Sequence, residues 1–508
     1  MYTTLSQDRI SNKRKIDDEF DTAKNYNHVR QKKKSNVLMM RHPLGIKPWG
    51  NYYVDSKDQS RNFEGDRRGS SLGNLAILTD DLILDILGAL DAKDLLSLGL
   101  ASRVLYCFST FDDLWKQLTI QKYKGDWCWQ GSWRVTFLKR SCSEYNLDIF
   151  LKPAIHLTDF YSDTLFQPFL CSSTGMDSYL GVENIDRRSN LELEEFIRKY
   201  AIPNKPVIIT DVVTKWPAFE KWNMEYLVEK YGDVIFRAEA IDIKLRNYVD
   251  YCKDTMDESP LYLFDKEFCD KCDGIIDDFS IPEYFEEDFF NIFGENRPDY
   301  RWLIIGPARS GSTFHKDPNS TSAWNAVITG SKKWIMYPPD VLPPGVFTSD
   351  DEAEVTSPVS IMEWHLNFYK ETQKPNLRPL EVICKAGEII FVPNGWWHMV
   401  INLEDSIAIT QNFVGTWNLR NVLSFLRDKP YQISGFSNLV WPNCENIHDD
   451  FYEKFKKFYP KILNKLESDD YEKKNDKRSS SLWDQLIKSD NKEEKEKKGF
   501  TFGFLDEE

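Results

Sequence analysis

The chain has 508 residues, of which 41% are hydrophobic and 14% aromatic, so it is long enough for two or three domains with a sizeable core. Its formal net charge of −15 argues against general binding to nucleic-acid backbones. The sequence has no apolar run of about eighteen residues and no apolar stretch of a secretion signal at its N-terminus, which excludes a predicted membrane span and disfavours export. Nine cysteines without paired spacing predict free thiols in a reducing compartment.

Both ends of the chain are polar and rich in charge. Residues 1–70 and 467–508 predict disordered tails, because mixed charge with little apolar content cannot offset the entropy of ordering. Two basic clusters in the first tail, Lys13-Arg14-Lys15 and Lys32-Lys33-Lys34, fit a nuclear localisation signal or an ordinary solvated tail equally well. We expect a nuclear protein and leave the cytoplasm open as a second location.

Residues 71–122 follow the tail and show apolar residues at helical spacing. These residues are Ile83, Ile86, Leu87 and Leu90 on a first segment, and Leu95, Leu98, Ala101 and Leu105 on a second. Asp91 or Asp94 is the predicted N-cap of the second segment. The stretch LTDDLILDILGALDAKDLLSLGLASRVLYCFSTFDDLWKQL resembles an F-box, a family that binds a Skp-type adaptor of a cullin ubiquitin ligase. The alternative is a helical hairpin packed on the rest of the protein.

The F-box resemblance has one visible departure. The family usually has Leu-Pro at the start of the first helix, whereas this chain has Leu78-Thr79. Proline favours a helix start, and threonine can cap one, so the helical fold is expected to survive the change.

Residues 123–184 predict a connecting segment, and from about residue 205 the text changes to short β-branched and aromatic runs bounded by Gly, Pro and Asn. The runs are PVIITDVV, RWLIIG, AWNAVITG, KKWIMYPP, EIIFVP and SIAITQNFV. Many short strands separated by turn signals predict a jelly roll or barrel and argue against a βαβ fold.

A candidate metal site lies in this strand-rich region, in the stretch HKDPNSTSAWN. Residues i and i+2 of a strand share a face, so His315 and Asp317 can bind one ion. His398, in FVPNGWWHMVINL, supplies the third ligand of a facial triad that suits non-haem Fe(II) and leaves three positions open. His365 is a competing histidine, but its aromatic neighbours in MEWHLNFY predict a packed or surface residue.

A 2-oxo acid such as 2-oxoglutarate takes two of the open positions and dioxygen takes the third. The distal carboxylate of 2-oxoglutarate must be neutralised inside a dry barrel, which requires a cation and a hydroxyl donor. Lys332 and Lys333 could both supply the cation, and alternation with the apolar Trp334 and Met336 favours Lys332 on the inner face. Thr410, in SIAITQNFV, offers the hydroxyl.

The stretches DYRWLIIGPARSGSTFHKD, TSAWNAVITGSKKWIMYPP and VPNGWWHMVINLEDSIAITQNFV resemble the Jumonji-C family of Fe(II)- and 2-oxoglutarate-dependent oxygenases. The resemblance covers residues 185–430 and is strongest to the phosphatidylserine-receptor-like lysyl hydroxylase branch, in particular its plant and fungal members with an F-box. It implies an α+β chain whose double-stranded β-helix, a jelly-roll or cupin-like barrel with flanking helices, follows a small all-α module. By position it implies His315, Asp317 and His398 as iron ligands and Lys332, Thr410, Asn325, Tyr262 and Ser312 as contacts of the cosubstrate pocket.

The resemblance also implies an activity. We expect a dioxygenase that uses Fe(II), 2-oxoglutarate and O2 to hydroxylate a protein side chain, with lysine as the expected residue. Two alternatives stay open: an N-methyl demethylase of histones or other proteins, and a non-catalytic substrate adaptor of a cullin ligase. The expected partners are a protein substrate and, through the F-box, a Skp-type adaptor and a cullin, with no membrane and no nucleic acid.

Two smaller features complete the sequence. Residues 431–466 place Phe451, Phe455 and Tyr459 at helical spacing, which fits either a homodimer contact or packing on the barrel. Cys269 and Cys272 form a lone CxxC, for which a structural or incidental role is favoured over metal or redox use.

Overall fold

The structure is a computed structural model that describes residues 41–50, 67–141 and 155–468. The described residues from His42 onward belong to one compact unit. The two basic clusters near the N-terminus and residues 469–508 of the predicted C-terminal tail lie outside the described residues, whereas residues 467 and 468 of that tail are helical. Within the described part of the chain, no helix is both long enough and apolar enough to cross a membrane.

Part of the predicted N-terminal tail is ordered. Ile46 is buried, and Lys47 pairs with Tyr161 in an isolated bridge. Helix α1, Arg67–Leu72, begins with a hydrogen bond from the Arg67 amide to the Asp159 carbonyl. The prediction of disorder over residues 1–70 is therefore wrong for residues 41–50 and 67–70. Both segments form backbone hydrogen bonds with residues 157–160, much later in the chain, which local composition does not reveal.

A layer of short helices follows. Their bounds are α2 Asp80–Gly88, α3 Ala92–Gly99, α4 Arg103–Ser109, α5 Asp112–Tyr123, α6 Trp133–Ser141 and α7 Asp163–Ser173. Thr79 caps α2 by accepting the Leu82 amide, and Asp91 caps α3 by accepting the Asp94 amide. Thr79 therefore caps the first helix, as expected for the residue that stands in place of proline. The predicted connecting segment, residues 123–184, contains the helices α6 and α7.

The predicted second helical segment is broken in two. Ser102 takes an extended backbone and accepts the Leu105 amide at 3.1 Å, which starts α4 as a new helix after α3 has ended at Gly99. Leu105 is buried, but Ala101, at the break, is exposed. On α2 the predicted apolar face is also incomplete, because Ile86 is 49% exposed. Apolar residues can keep a helical spacing on both sides of a capping serine, so the spacing alone predicts one long helix where there are two.

The described residues also contain fifteen strands. Their bounds are β1 Arg187–Arg188, β2 Val207–Ile209, β3 Ile235–Ala238, β4 Ile241–Lys244, β5 Leu263–Asp265, β6 Arg301–Gly306, β7 Gly311–His315, β8 Ser322–Thr329, β9 Ser331–Tyr337, β10 Phe347–Thr348, β11 Val355–Thr356, β12 Leu380–Lys385, β13 Ile389–Val392, β14 Trp397–Asn402 and β15 Ser406–Phe413. The larger sheet has the order β1-β2-β13-β8-β15-β6-β5-β3-β4, and the smaller has the order β12-β9-β14-β7. All neighbours are antiparallel except β1 and β2.

The two sheets share an apolar core. Val327 and Ile390 of the larger sheet pack with Trp334, Met336 and Val400 of the smaller one. Facing antiparallel sheets of this kind fit the predicted jelly roll. The described strands form these two large sheets and a separate antiparallel pair, β10-β11, so the prediction of a barrel holds only as a sandwich and not as one closed cylinder.

Further helices flank the sheets. Their bounds are α8 Leu193–Phe196, α9 Pro217–Lys221, α10 Met224–Tyr231, α11 Leu245–Cys252, α12 Phe268–Lys271, α13 Ile361–Asn367, α14 Leu419–Asp428 and α15 Ile447–Phe458, with a further helical run at 460–468. Phe451 and Phe455 are fully buried against Phe289 and Phe293, whereas Tyr459 follows the helix end and is 40% exposed. The aromatic residues predicted in the C-terminal segment therefore pack within the chain, and dimer formation stays a prediction.

Candidate active site

Two strands of the smaller sheet bring three potential metal ligands together. His315 is the last residue of β7, and His398 lies directly opposite it on the antiparallel β14. Asp317 lies just beyond β7 and not in the strand, but its backbone is extended (φ −62°, ψ 145°), so it keeps the side of His315. The ligand atoms of the three residues lie within 4.8 Å of one another. Among the described residues, these three form the group that is suited to binding a metal ion.

Hydrogen bonds orient both imidazoles. The Nδ1 atom of His315 lies 2.8 Å from the Thr313 carbonyl, and the Nδ1 atom of His398 lies 3.1 Å from the Trp396 carbonyl. Because a carbonyl can only accept, Nδ1 carries the proton in each ring and the Nε2 lone pair stays available for a metal. This is the arrangement that a metal-binding histidine requires.

Burial sets the charge state of the triad. It lowers the pKa of His398 well below its usual range, and the nearby His315 lowers it further. Burial raises the pKa of Asp317 to about 6, an effect that His315 opposes. A neutral His398 imidazole beside a desolvated carboxylate favours a bound cation, which would compensate the negative charge of Asp317.

Lys332 lies deep between the sheets with no exposed surface. Its Nζ atom donates to the Tyr262 hydroxyl at 2.9 Å and to Oδ1 of Asn402 at 2.8 Å. Burial lowers the pKa of Lys332 to about 7. Both oxygen partners are neutral, so no carboxylate of the described residues compensates the ammonium, and the position suits an anionic ligand.

Lys333 lies on the opposite face of β9. It forms a buried ion pair with Glu381 at 2.8 Å and donates to the Val182 carbonyl. Its charge is already balanced, which leaves Lys332 as the cation available inside the sandwich.

The remaining predicted pocket residues line one cavity of about 830 Å³ together with the triad: Tyr262, Ser312, Asn325 and Thr410. Asn325 and Thr410 are paired across β8 and β15, and the Thr410 hydroxyl donates to the Trp324 carbonyl at 2.9 Å. Oδ1 of Asn325 and Nε1 of Trp334 are buried in this cavity without a hydrogen-bond partner. Orphaned polar atoms of this kind indicate a site made for a ligand.

Two asparagines of the site were missed from the sequence. Asn402, which holds Lys332, lies four residues after His398 on β14, and Asn412, which lines the cavity, lies two residues after Thr410 on β15. The same alternation that selected Lys332 would have found both. Residues from the helical layer also line the cavity, and no local signal marks them.

The other candidates are not part of this site. His365 is buried on α13, its Nδ1 atom lies 2.9 Å from the Ile361 carbonyl, and burial lowers its pKa to about 4. Cys269 and Cys272 are free thiols, and burial raises the pKa of Cys272 to about 12, which makes it a poor nucleophile or metal ligand.

Comparisons with known proteins point the same way. The family described as a cupin-like domain matches residues 192–416. The chain is 46% identical over 442 residues to the arginine-specific demethylase JMJ22 of Arabidopsis thaliana, covering 87% of this chain and 86% of that protein. It is 37% identical to the bifunctional arginine demethylase and lysyl-hydroxylase psr-1 of Caenorhabditis elegans, covering 46% of this chain and 62% of that one. It is 31% identical to the 2-oxoglutarate and iron-dependent oxygenase JMJD4 of Homo sapiens, covering 46% and 62%.

Proposed function

The chain belongs to the Jumonji-C family of Fe(II)- and 2-oxoglutarate-dependent oxygenases, and from that premise we propose that it hydroxylates a side chain of a protein substrate, with lysine as the residue. It is a 2-oxoglutarate-dependent dioxygenase, and the finer assignment of its reaction is the proposal. One observation supports this most. The same sandwich contains three residues that are suited to binding a metal ion and a buried lysine, Lys332, that has no carboxylate partner among the described residues.

The triad and the buried lysine with its tyrosine partner have distinct roles in this proposal. His315, Asp317 and His398 would hold Fe(II), and two imidazoles with one carboxylate match the ligand set that this ion prefers. Lys332 and Tyr262 would neutralise and orient the distal carboxylate of 2-oxoglutarate. With O2, the bound iron and cosubstrate supply the oxidising power that replaces a C–H bond by C–OH and converts 2-oxoglutarate to succinate and CO2.

The remaining residues of the cavity exclude water and position the reactants. Trp334 stacks on the His398 ring with a centroid distance of 5.7 Å and an interplanar angle of 27°, which covers that ligand with an apolar surface. Asn325 brings its unpartnered amide oxygen into the same cavity. A dry, preorganised cavity protects the substrate from unproductive side reactions.

Removal of an N-methyl group from arginine is the second candidate, because the relative that matches over most of both chains is named an arginine-specific demethylase. The two reactions share the oxidation step and differ in the product. Hydroxylation at a carbon-bound C–H gives a stable alcohol. Hydroxylation of an N-methyl group gives an N–CH2OH group, which breaks its C–N bond to release formaldehyde and the free amine.

The products separate these reactions. We would incubate the full chain with Fe(II), 2-oxoglutarate and peptide pools that carry lysine or methylated arginine, and then measure succinate, formaldehyde and peptide mass. Lysine hydroxylation predicts succinate with the gain of one oxygen atom in the lysine peptides and no formaldehyde. Formaldehyde from the methylarginine pool alone would establish the second candidate instead, and the absence of substrate-stimulated succinate from both pools would contradict both.

We also propose that residues 71–122 act as an F-box, so that the oxygenase is presented to a cullin ligase through a Skp-type adaptor. The resemblance of the sequence supports this, as do apolar side chains that the helices leave in solvent: Ile77 and Leu100 are each 88% exposed, and Leu82 and Ile86 of α2 are each 49% exposed. Exposed apolar residues in one module are typical of a protein-binding surface. We also propose a nuclear location, which the two basic clusters near the N-terminus support.

Co-purification tests the F-box. The full chain should capture a Skp-type adaptor and a cullin, and Leu82→Glu with Ile86→Glu should abolish the capture. His315→Ala is the control, since it should bind the adaptor as the wild type does. Equal capture by the double variant and the wild type would contradict the proposal that Leu82 and Ile86 bind the adaptor.

A further inference from the structure

The cavity that contains the triad has a second, acidic end. There it is lined by the carboxylates of Asp113, Glu239, Asp257 and Glu258, with Lys116 and Arg309 as the cations. Asp113 and Lys116 belong to α5 of the helical layer, whereas the other residues belong to the oxygenase region. The wall of the active-site cavity is therefore built jointly by the two regions.

Direct contacts fix α5 at this place. Asp112 accepts the amides of Trp133 and Arg134, which joins the first turn of α5 to the start of α6. Lys116, on the next turn, donates to Oδ2 of Asp257 at 3.3 Å and to the Ser259 carbonyl at 3.4 Å. The helical layer is thus locked to the loop that forms the rim of the cavity.

Two of the four carboxylates are already engaged by the protein. Asp257 also accepts hydrogen bonds from Nε1 of Trp133 and from the Tyr251 hydroxyl at 2.7 Å. Glu258 accepts the Ser360 hydroxyl at 2.6 Å. These contacts give both residues a structural role.

Asp113 differs from them. Its side chain is exposed to the cavity, and its carboxylate has no hydrogen bond or ion pair within the described part of the chain. Glu239 occupies the turn between β3 and β4, and its amide donates to the carbonyl of Tyr262, so it stands next to the cosubstrate pocket. Desolvation raises the pKa of Asp113 and of Glu239, and Lys116 opposes both shifts. A further cation would stabilise the ionised form of each.

The inner part of the same cavity contains independent signs of a ligand. Asn325 and Trp334 are both more than nine-tenths buried, and each has an unpartnered polar atom there. A cavity of about 830 Å³ also exceeds what 2-oxoglutarate, with about ten non-hydrogen atoms, would fill. Space remains between the triad and the acidic end for a substrate side chain.

We propose that Asp113 and Glu239 bind the cationic side chain of the protein substrate, a lysine or an arginine, so that the helical module supplies a specificity-determining residue to the oxygenase. The inference rests on the proposed function, since it concerns the substrate end of the same site. It gives α5 a role in substrate recognition in addition to any role in ligase assembly.

Paramagnetic relaxation by Mn(II) at the triad tests the proposal without turnover. The full chain would be loaded with Mn(II) and 2-oxoglutarate, with metal binding checked by electron paramagnetic resonance. Two probes, acetyl-Gly-Gly-Lys-Gly-Gly-amide and its norleucine counterpart, differ only in the charge. We expect the side-chain protons of the lysine peptide to relax faster than those of the norleucine peptide. Asp113→Asn and Glu239→Gln should each weaken lysine-peptide binding about threefold, the effect of one solvent-accessible charge contact.

Asp126→Asn is the matched control, because Asp126 belongs to the helical layer but pairs with Arg140 on the surface, away from the cavity lining. It should bind the lysine peptide as the wild type does, and thermal melting would show that all variants are folded. Equal relaxation of the two peptides, or wild-type binding by both cavity variants, would overturn the inference and leave the proposed function standing. Failure of the wild type to bind Mn(II) would instead remove the proposed function and this inference with it.

Discussion

A lysine that is fully enclosed by protein needs a negative partner or must give up its proton. Lys332 has only neutral oxygen partners, Tyr262 and Asn402, and burial lowers its pKa to about 7. The free protein therefore holds this residue close to the point at which it changes charge. A bound carboxylate would raise the pKa again, because it stabilises the ammonium.

This coupling predicts a pH dependence for the cosubstrate. Above pH 7 the free lysine loses its proton and must regain it when 2-oxoglutarate binds, so the dissociation constant should rise by about tenfold from pH 6 to pH 8. Calorimetric titration of 2-oxoglutarate into protein saturated with Mn(II) measures it. Lys332→Arg, which keeps its charge throughout this range, should flatten the profile. A wild-type constant independent of pH would contradict the lowered pKa of free Lys332 on which this coupling rests.

At the scale of the element, β9 directs two consecutive lysines to opposite faces. Lys332 faces the interior of the sandwich and Lys333 faces outward to Glu381 of β12, as the alternation of a strand requires. This much could be predicted from the sequence, because period-two alternation is a local property. The break between α3 and α4 could also have been predicted from Ser102, a capping residue, but the apolar spacing on both sides of it concealed the break.

Breaking the buried ion pair on the outer face of β9 should destabilise the smaller sheet. Glu381→Leu would leave the Lys333 ammonium buried without a partner and should lower the free energy of unfolding by about 3 kcal/mol. Lys333→Met together with Glu381→Leu should cost much less, because it removes both charges. Urea denaturation measures these changes. Lys374→Met, which breaks an exposed pair with Glu371, is the control and should cost less than about 1 kcal/mol. A larger loss in the double variant than in Glu381→Leu would contradict this account.

At the scale of the whole molecule, the helical layer and the oxygenase region share an aromatic cluster. Trp127, Trp129 and Trp133 pack on Tyr251, with ring-centroid distances of 6.2, 4.9 and 5.6 Å. The strand runs and the His315–Asp317 pair could be predicted because they depend on nearby residues, and His398 could be proposed as a ligand from a later strand. This interface and the acidic end of the cavity could not, because they join residues more than a hundred positions apart.

The shared cluster predicts that the two regions unfold together. Scanning calorimetry of the full chain should show one transition, because separation of the regions would expose aromatic side chains that are now buried. Tyr251→Ala, which removes the ring common to the three contacts, should lower the melting temperature, whereas Tyr431→Ala, at a residue that is 94% exposed, should not. Two well-resolved transitions in the wild type would show that the helical layer is energetically independent.

The central claim is that the triad and Lys332 hold Fe(II) and 2-oxoglutarate in one site. An anaerobic titration of the purified full chain with both, followed by the weak visible charge-transfer band of the iron–2-oxoglutarate chelate, tests it most directly. We expect the band in the wild type, its loss in His315→Ala, and a much weaker affinity for 2-oxoglutarate in Lys332→Ala. A well-folded wild-type protein that gives no band would contradict the claim and leave the binding of partner proteins as the function to pursue.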